Sequence, residues 1–247
     1  MANRIADISL RQAALVAGVA LLIMAITAGF AVGYVFESLI VSGDAAATAN
    51  NIRASEMLFR TGIFGWLIIL ILDVVVAWAL YVLLKPVNKG LSLLTAWLRL
   101  VYAAILGTAL LNLVLVLLLL SDADYLTVFE TNQLHALVSL SLNAFSDIWS
   151  IGLVVFGLHL SVLGYLVFKS RYIPTIWGVL LMIAALGYLI TNVASLLLPH
   201  YEDYKATLEM VFIVPMIIGE VGLAFWLLIK GRNVEQWNKI NRDSAGA

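Results

Sequence analysis

Cysteine is absent from this chain. Without a thiol there are no disulfides, no thiol catalysis, no thiolate-bound iron–sulfur cluster, no c-type haem attachment and no lipid-modified cysteine anchor, while the redox compartment is left open. Charge is almost as scarce. Charged residues make up 12% of the chain and hydrophobic ones 63%, whereas roughly a quarter of an ordinary soluble domain is charged. The mean hydropathy of +1.04 places the chain in lipid. A net charge of −1 offers no footing for a nucleic-acid partner. Apolar spans and short connections take up nearly all 247 residues. One all-α, polytopic membrane domain over residues 1–247 is therefore expected, with the lipid bilayer as its first partner.

Six transmembrane helices are expected, at about 13–36, 61–84, 91–120, 148–168, 175–198 and 207–229, with short outer amphipathic helices. Met1 to Gln12 is a polar lead-in with Arg4 and Arg11, and the span after it exceeds the roughly 7 to 15 apolar residues of a signal peptide. Ala25, Gly29 and Gly33 recur at helical spacing, a small-residue stripe for close packing. In the long connection from Glu37 to Arg60, Ser42, Gly43 and Asp44 predict a turn and an N-cap, with a short helix from Ala45. The apolar run from Leu91 is too long for an untilted span, so its helix is expected to begin before the lipid. Leu134 to Phe168 also exceeds one span. His135, Ser139, Asn143 and Asp147 form one stripe and Leu134, Val138 and Leu142 another, which predicts an amphipathic surface helix to about Ser146 and a new span from Ile148. Asp147 would then stand at the outer mouth. Thr191 and Asn192 are expected to hydrogen-bond between helices, and Pro215 to kink the sixth helix near Glu220. Trp237 in the basic tail can rest on headgroups.

Orientation follows from the basic residues. Arg4, Arg11, Lys85, Lys89, Lys169, Arg171, Lys230, Arg232, Lys239 and Arg242 fall on one side of such a bundle, and only Arg53, Arg60 and Lys205 on the other. The positive-inside rule then puts both termini in the cytoplasm. Glu37, Asp44, Glu56, Asp122, Asp124, Glu130, Glu202, Asp203 and Glu209 fall outside, in agreement but with little weight.

Several pieces have a familiar pattern: Gly43-Asp44, Thr48-Ala49-Asn50-Asn51-Ile52, Leu58-Phe59-Arg60, Leu84-Lys85-Pro86-Val87-Asn88-Lys89, Phe156-Gly157-Leu158-His159-Leu160, Gly164-Tyr165-Leu166-Val167-Phe168-Lys169-Ser170 and Pro174. Together they resemble a family of bacterial and archaeal integral membrane proteins, a domain-of-unknown-function family, along nearly the whole chain. The resemblance implies a prokaryotic plasma membrane. It carries no catalytic or binding residue.

Four ionisable residues inside the spans are the candidate ligand- or proton-binding site: Asp73, Arg99, His159 and Glu220. A carboxylate at the centre of lipid costs about 2.5 to 3.5 kcal/mol on insertion scales, so each is expected to face protein or water. Asp73 lies roughly 17 Å from either end of its span, His159 and Glu220 about 14 Å from the cytoplasmic ends of theirs, and Arg99 about 12 Å if its helix starts at Leu91. Shared depth suggests one polar centre. Arg99 either lies inside as a counter-ion or snorkels to the cytoplasmic headgroups. Two acids there face at most one certain cation, so one acid is expected to be neutral. Glu220 is the choice, with Asp73 as Arg99's partner.

Three functions fit such a centre. It can bind or move a small ligand or proton, with Asp73 and Glu220 taking a cation or proton, His159 titrating near neutrality and Arg99 receiving an anion. It can be a metal-dependent intramembrane enzyme using Asp73, His159 and Glu220 as ligands, although HExxH and HxxxH patterns are absent. It can be a non-catalytic structural or regulatory protein whose buried charges fix helix register. No cofactor is expected, and a di-histidine haem site is excluded by the single intramembrane histidine. Inverted-repeat transport has no matching residues between the two halves behind it. A cytoplasm-only fluorescent reporter fused after Ala247 is expected to give signal and an externally active phosphatase to be silent; the reverse result overturns the orientation.

Overall fold

Long apolar runs separated by short polar caps fold into helices in the computed structural model, which describes residues 8–121, 123–199 and 201–233, without the side chains of 202–206, 209 and 232. Arg4, Asp122, Trp237, Lys239 and Arg242 lie outside the described residues, as do the side chains of Glu202, Asp203, Lys205, Glu209 and Arg232. Helix α1 (Leu10–Phe30) starts at a capping box, in which Gln12 N donates to Ser9 Oγ at 3.2 Å and Ser9 N to the Gln12 side chain at 3.0 Å. It continues through a π-helical turn (Ala31–Phe36) into the short α2 (Glu37–Leu39). Asp44 caps α3 (Ala45–Ala54) by accepting from Ala47 N at 2.8 Å, as its place before a run of helix formers predicts. Then come α4 (Glu56–Leu84), α5 (Lys89–Leu119), a 3-10 turn (Asp124–Val128), α6 (Thr131–Lys169), α7 (Thr175–Leu197) and α8 (Glu202–Lys230). Among the described residues six of these helices are long and apolar enough to cross a membrane, the first as Leu10–Leu39 and the last as Met210–Lys230. The chain is a six-span, all-α membrane protein.

The long helices close into a ring. Helix α4 packs on α1 and α5, α6 on α5 and α7, and α8 on α7 and back on α1. Lipid tails give apolar helices no hydrophobic reason to associate, so small residues that bring backbones together carry the packing. A Cβ on Gly18 of α1 would lie 3.0 Å from Ala224 O of α8, and one on Gly178 of α7 would lie 2.6 Å from Phe168 N and 2.8 Å from Gly164 O of α6. The turn between α6 and α7 folds back under the bundle. There the buried Tyr172 hydroxyl donates to Leu83 O at 2.6 Å, and burial holds its phenol well above the usual value, so it stays a donor. Near the opposite end the rings of Phe36, Phe59, Trp66, Phe145 and Trp149 pack into one group, with Trp66 and Trp149 centroids 4.7 Å apart.

Four sequence expectations are corrected. Gly29 and Gly33 face outward with no atom within 4 Å of a Cβ added to either, so the Ala25-Gly29-Gly33 stripe is not a packing seam; Ala13, Ala14, Ala17 and Gly18 are buried instead. The division near Ser146 does not exist. With Glu130 and Gln133 forming a capping box and no glycine or proline before Gly152, α6 runs unbroken for 39 residues, roughly 58 Å, or about twice the hydrocarbon thickness. Asp147 therefore sits exposed within a helix and not at a helix start, and His135 of the polar stripe is buried. Thr191 and Asn192 bond back to Gly187 O and Tyr188 O of their own helix, both at 2.8 Å, and among the described residues neither side chain bonds across to a neighbouring helix. Pro215 lies inside α8, as expected.

The glycine contacts predict opposite outcomes for one kind of substitution. Gly178→Ala is expected to lower the melting temperature in detergent, since overpacking costs about 1 to 3 kcal/mol. Gly29→Ala meets no neighbour and replaces a poor helix former, so its melting point is expected to hold or rise.

Candidate functional site

The helical period sets which side chains meet at mid-depth. Helix α4 buries Ile69, Asp73, Val76 and Leu80 on one face, and α5 buries Ser92, Thr95, Arg99, Tyr102 and Leu106 on another. The two charges therefore ride on the stripes that pack the ring. Because α4 and α5 are joined by the short turn at Lys85 to Asn88, both residues fall about 15 to 17 Å from that end of the bundle. They meet as an ion pair: Arg99 Nε donates to Asp73 Oδ1 at 2.9 Å, and Nη2 lies 2.8 Å from the same oxygen. Asp73 is 0% exposed and Arg99 2%. Arg99 is thus the internal counter-ion of Asp73 and does not snorkel.

Helix α6 supplies the rest of the guanidinium's surroundings. Phe156 and His159, one turn apart, both face inward. His159 Nε2 is 3.2 Å from Arg99 Nη1, its Nδ1 is 2.9 Å from Thr95 O, and the Arg99 guanidinium carbon lies 5.4 Å from the centroid of the Phe156 ring. These partners assign the tautomer. A carbonyl only accepts and a guanidinium only donates, so Nδ1 carries the proton and Nε2 offers its lone pair. The imidazole is neutral, and a second proton would oppose donor to donor. Arg99 Nη2 also faces Met24 Sδ of α1 at 3.9 Å. Two buried oxygens at the centre have no hydrogen-bond partner, Asp73 Oδ2 and Thr95 Oγ1.

Glu220 stands apart from this triad. It is partly buried on α8 and accepts from the Tyr188 hydroxyl of α7 at 2.9 Å. Tyr188 packs edge-on against Phe156 with centroids 5.1 Å apart, and Tyr102 lies 4.9 Å from the same ring. Arg99 is thus in direct contact with both Asp73 and His159, while Glu220 joins them through Tyr188 and Phe156. Every spanning helix reaches the centre, through Met24, Asp73, Arg99, Phe156 with His159, Tyr188 and Glu220.

The metal-ligand set of Asp73, His159 and Glu220 is not assembled. Both His159 nitrogens are engaged, one of them against a cation, and among the described residues no three His, Cys, Asp or Glu side chains are grouped to hold a metal. Tyr188, Tyr102 and Phe156 were missed in the sequence. A search for polar or aromatic side chains at matching depth would have marked Tyr188, which lies about 20 Å along α7 from its start.

No solved structure matches the chain. A protein of Archaeoglobus fulgidus described as an uncharacterized protein is 38% identical over 174 residues, which is 70% of this chain and 86% of the relative. Residues 16–231 match the family described as Domain of unknown function (DUF4386), and the chain, with its six spans around a buried ion pair, belongs to that family.

Proposed function

We propose that this membrane protein binds and releases a proton, alone or together with a small ligand, at Asp73. One observation carries the reading: Asp73 Oδ2 is buried without a hydrogen-bond partner, while Arg99 engages only Oδ1. Leaving a charged oxygen unsatisfied at that depth costs free energy, and a proton or a small donor arriving at Oδ2 relieves the cost. Enclosure favours the smallest ligand, since Asp73 and His159 are 0% exposed. In this reading Arg99 holds the empty acid as an anion, and neutral His159 fixes the guanidinium. The setting is a prokaryotic plasma membrane with both termini in the cytoplasm, a reading supported by the basic residues gathered on one side and by the archaeal relative.

A second reading has an observation of its own. Arg99 spends its donors on Asp73 and His159 and its face on Phe156, an arrangement that also serves a purely structural or regulatory pin between α4, α5 and α6. Difference infrared spectra between acidic and alkaline buffer separate the two. A protonated-carboxyl band lost in Asp73→Asn and kept in Glu220→Gln is the expected result. Spectra unchanged by Asp73→Asn would leave that acid in one fixed state, and the structural reading would stand.

The pair itself makes a prediction about stability. Asp73→Asn strands a buried guanidinium and is expected to cost about 3 to 5 kcal/mol. Combined with Arg99→Gln, the loss is expected to be smaller than the sum of the two single losses, as groups in contact couple. Melting the three variants in detergent checks this.

A further inference from the structure

We infer that Glu220, held by Tyr188, is a second proton site of the centre, the one that exchanges with the surroundings while Asp73 stays enclosed. The inference rests on the reading of Asp73 as a proton-binding acid. Its geometric basis is the contrast between the two acidic residues as whole residues. On α8, Glu220 lies on the inward face with Leu223 at 2%, Ala224 at 0% and Leu227 at 0% exposure. Yet Glu220 itself keeps accessible surface, while Asp73 has none. Close packing puts it there. A Cβ on Gly219 would lie 3.2 Å from Leu180 O, so α8 sits tightly on α7 and the carboxyl reaches the Tyr188 hydroxyl at 2.9 Å.

Tyr188 donates to Oε1, which leaves the second oxygen of Glu220 as the acceptor for an incoming proton. The groups that act on this acid can be named. Tyr188 faces it from α7; Arg99 and Tyr102 pack on Phe156, the ring that also meets Tyr188, and Asp73 is bonded to Arg99; α1 carries no ionisable side chain besides Arg11 at its far end. Loading Glu220 or Asp73 therefore changes the charge that Arg99 meets. Phe156, between the guanidinium and Tyr188, keeps the two acids from sharing a hydrogen bond. Tyr188 is a positioning residue in this scheme.

The test uses the full chain in liposomes and dicyclohexylcarbodiimide, a lipid-soluble reagent that captures protonated carboxyls, with the adduct located by mass spectrometry. Glu220 is expected to be labelled and Asp73 not, with labelling falling as pH rises. Glu220→Gln should abolish the adduct and Asp73→Asn should retain it. Tyr188→Phe should stay folded by gel filtration and shift the pH profile, which a purely structural hydroxyl would not. Preferential labelling of Asp73, or no adduct at Glu220 in folded protein, overturns the inference. Protection by sodium chloride but not by choline chloride overturns it as well, in favour of a sodium site. The Asp73 infrared band is read separately, so either acid can fail without the other.

Discussion

A guanidinium and a carboxylate buried at the middle of a hydrocarbon slab are tolerated only if each finds the other. Arg99 and Asp73 do so through two guanidinium nitrogens at one carboxylate oxygen, with His159 and Phe156 completing the guanidinium's shell. The requirement reaches well beyond the pair. It obliges the stripe of α4 that carries Asp73, the stripe of α5 that carries Arg99 and the stripe of α6 that carries Phe156 and His159 to face one another, which sets the rotation of three helices about their axes. A buried pair of this kind adds little net stability over an apolar core, but alternative rotations leave a charge in lipid and are heavily disfavoured.

The ring around the pair is held by shape. At Gly18, Gly157, Gly164 and Gly178 an added Cβ would come within 3.0 Å of atoms on the neighbouring helix, so backbones approach where dispersion and not hydrophobic expulsion must supply the attraction. Both ends are closed by other means. The α6–α7 turn sends Tyr172 to Leu83 O at one end, and near the other the aromatic group receives Phe36 from the π-helical turn of α1. Wide turns of this type are frequent at functional sites, and here the turn aims a ring at Trp66 and Phe145.

Hydrogen-bond bookkeeping narrows the chemistry more than the identities of the ionisable residues do. His159 has a lone pair but no room to use it on a metal, because a guanidinium occupies that direction. Arg99 is enclosed by Asp73, His159, Met24 and Phe156, so an anion must displace one of them to reach it. What stays unsatisfied is an acceptor, Asp73 Oδ2, and acceptors call for protons or donors. The partly accessible Glu220 adds a second acceptor on the other side of Phe156.

Hydropathy, the capping residue Asp44 and the mid-span positions of Asp73, Arg99, His159 and Glu220 were all legible in the sequence, because span length, helical rise and caps depend only on local composition. The pairing of Asp73 with Arg99 was legible only as one of two outcomes, since a short turn brings residues of similar depth on adjacent helices within reach but does not set whether Arg99 turns inward or snorkels. The continuity of α6 past Ser146 was not legible, because an amphipathic stretch and a helix extended beyond the lipid share one periodicity and differ only in what packs on them; here α3 packs on α6. The outward face of Gly29 and Gly33, the separation of Glu220 from the triad and the role of Tyr188 were likewise decided by tertiary structure. Small-residue spacing marks where backbones can approach, but the rotation of each helix in the ring selects which stripe does. The sequence alone determined how deep each charge lies, since depth is a property of one helix; which charges touch depends on the angles among six helices, and only the closed ring sets those.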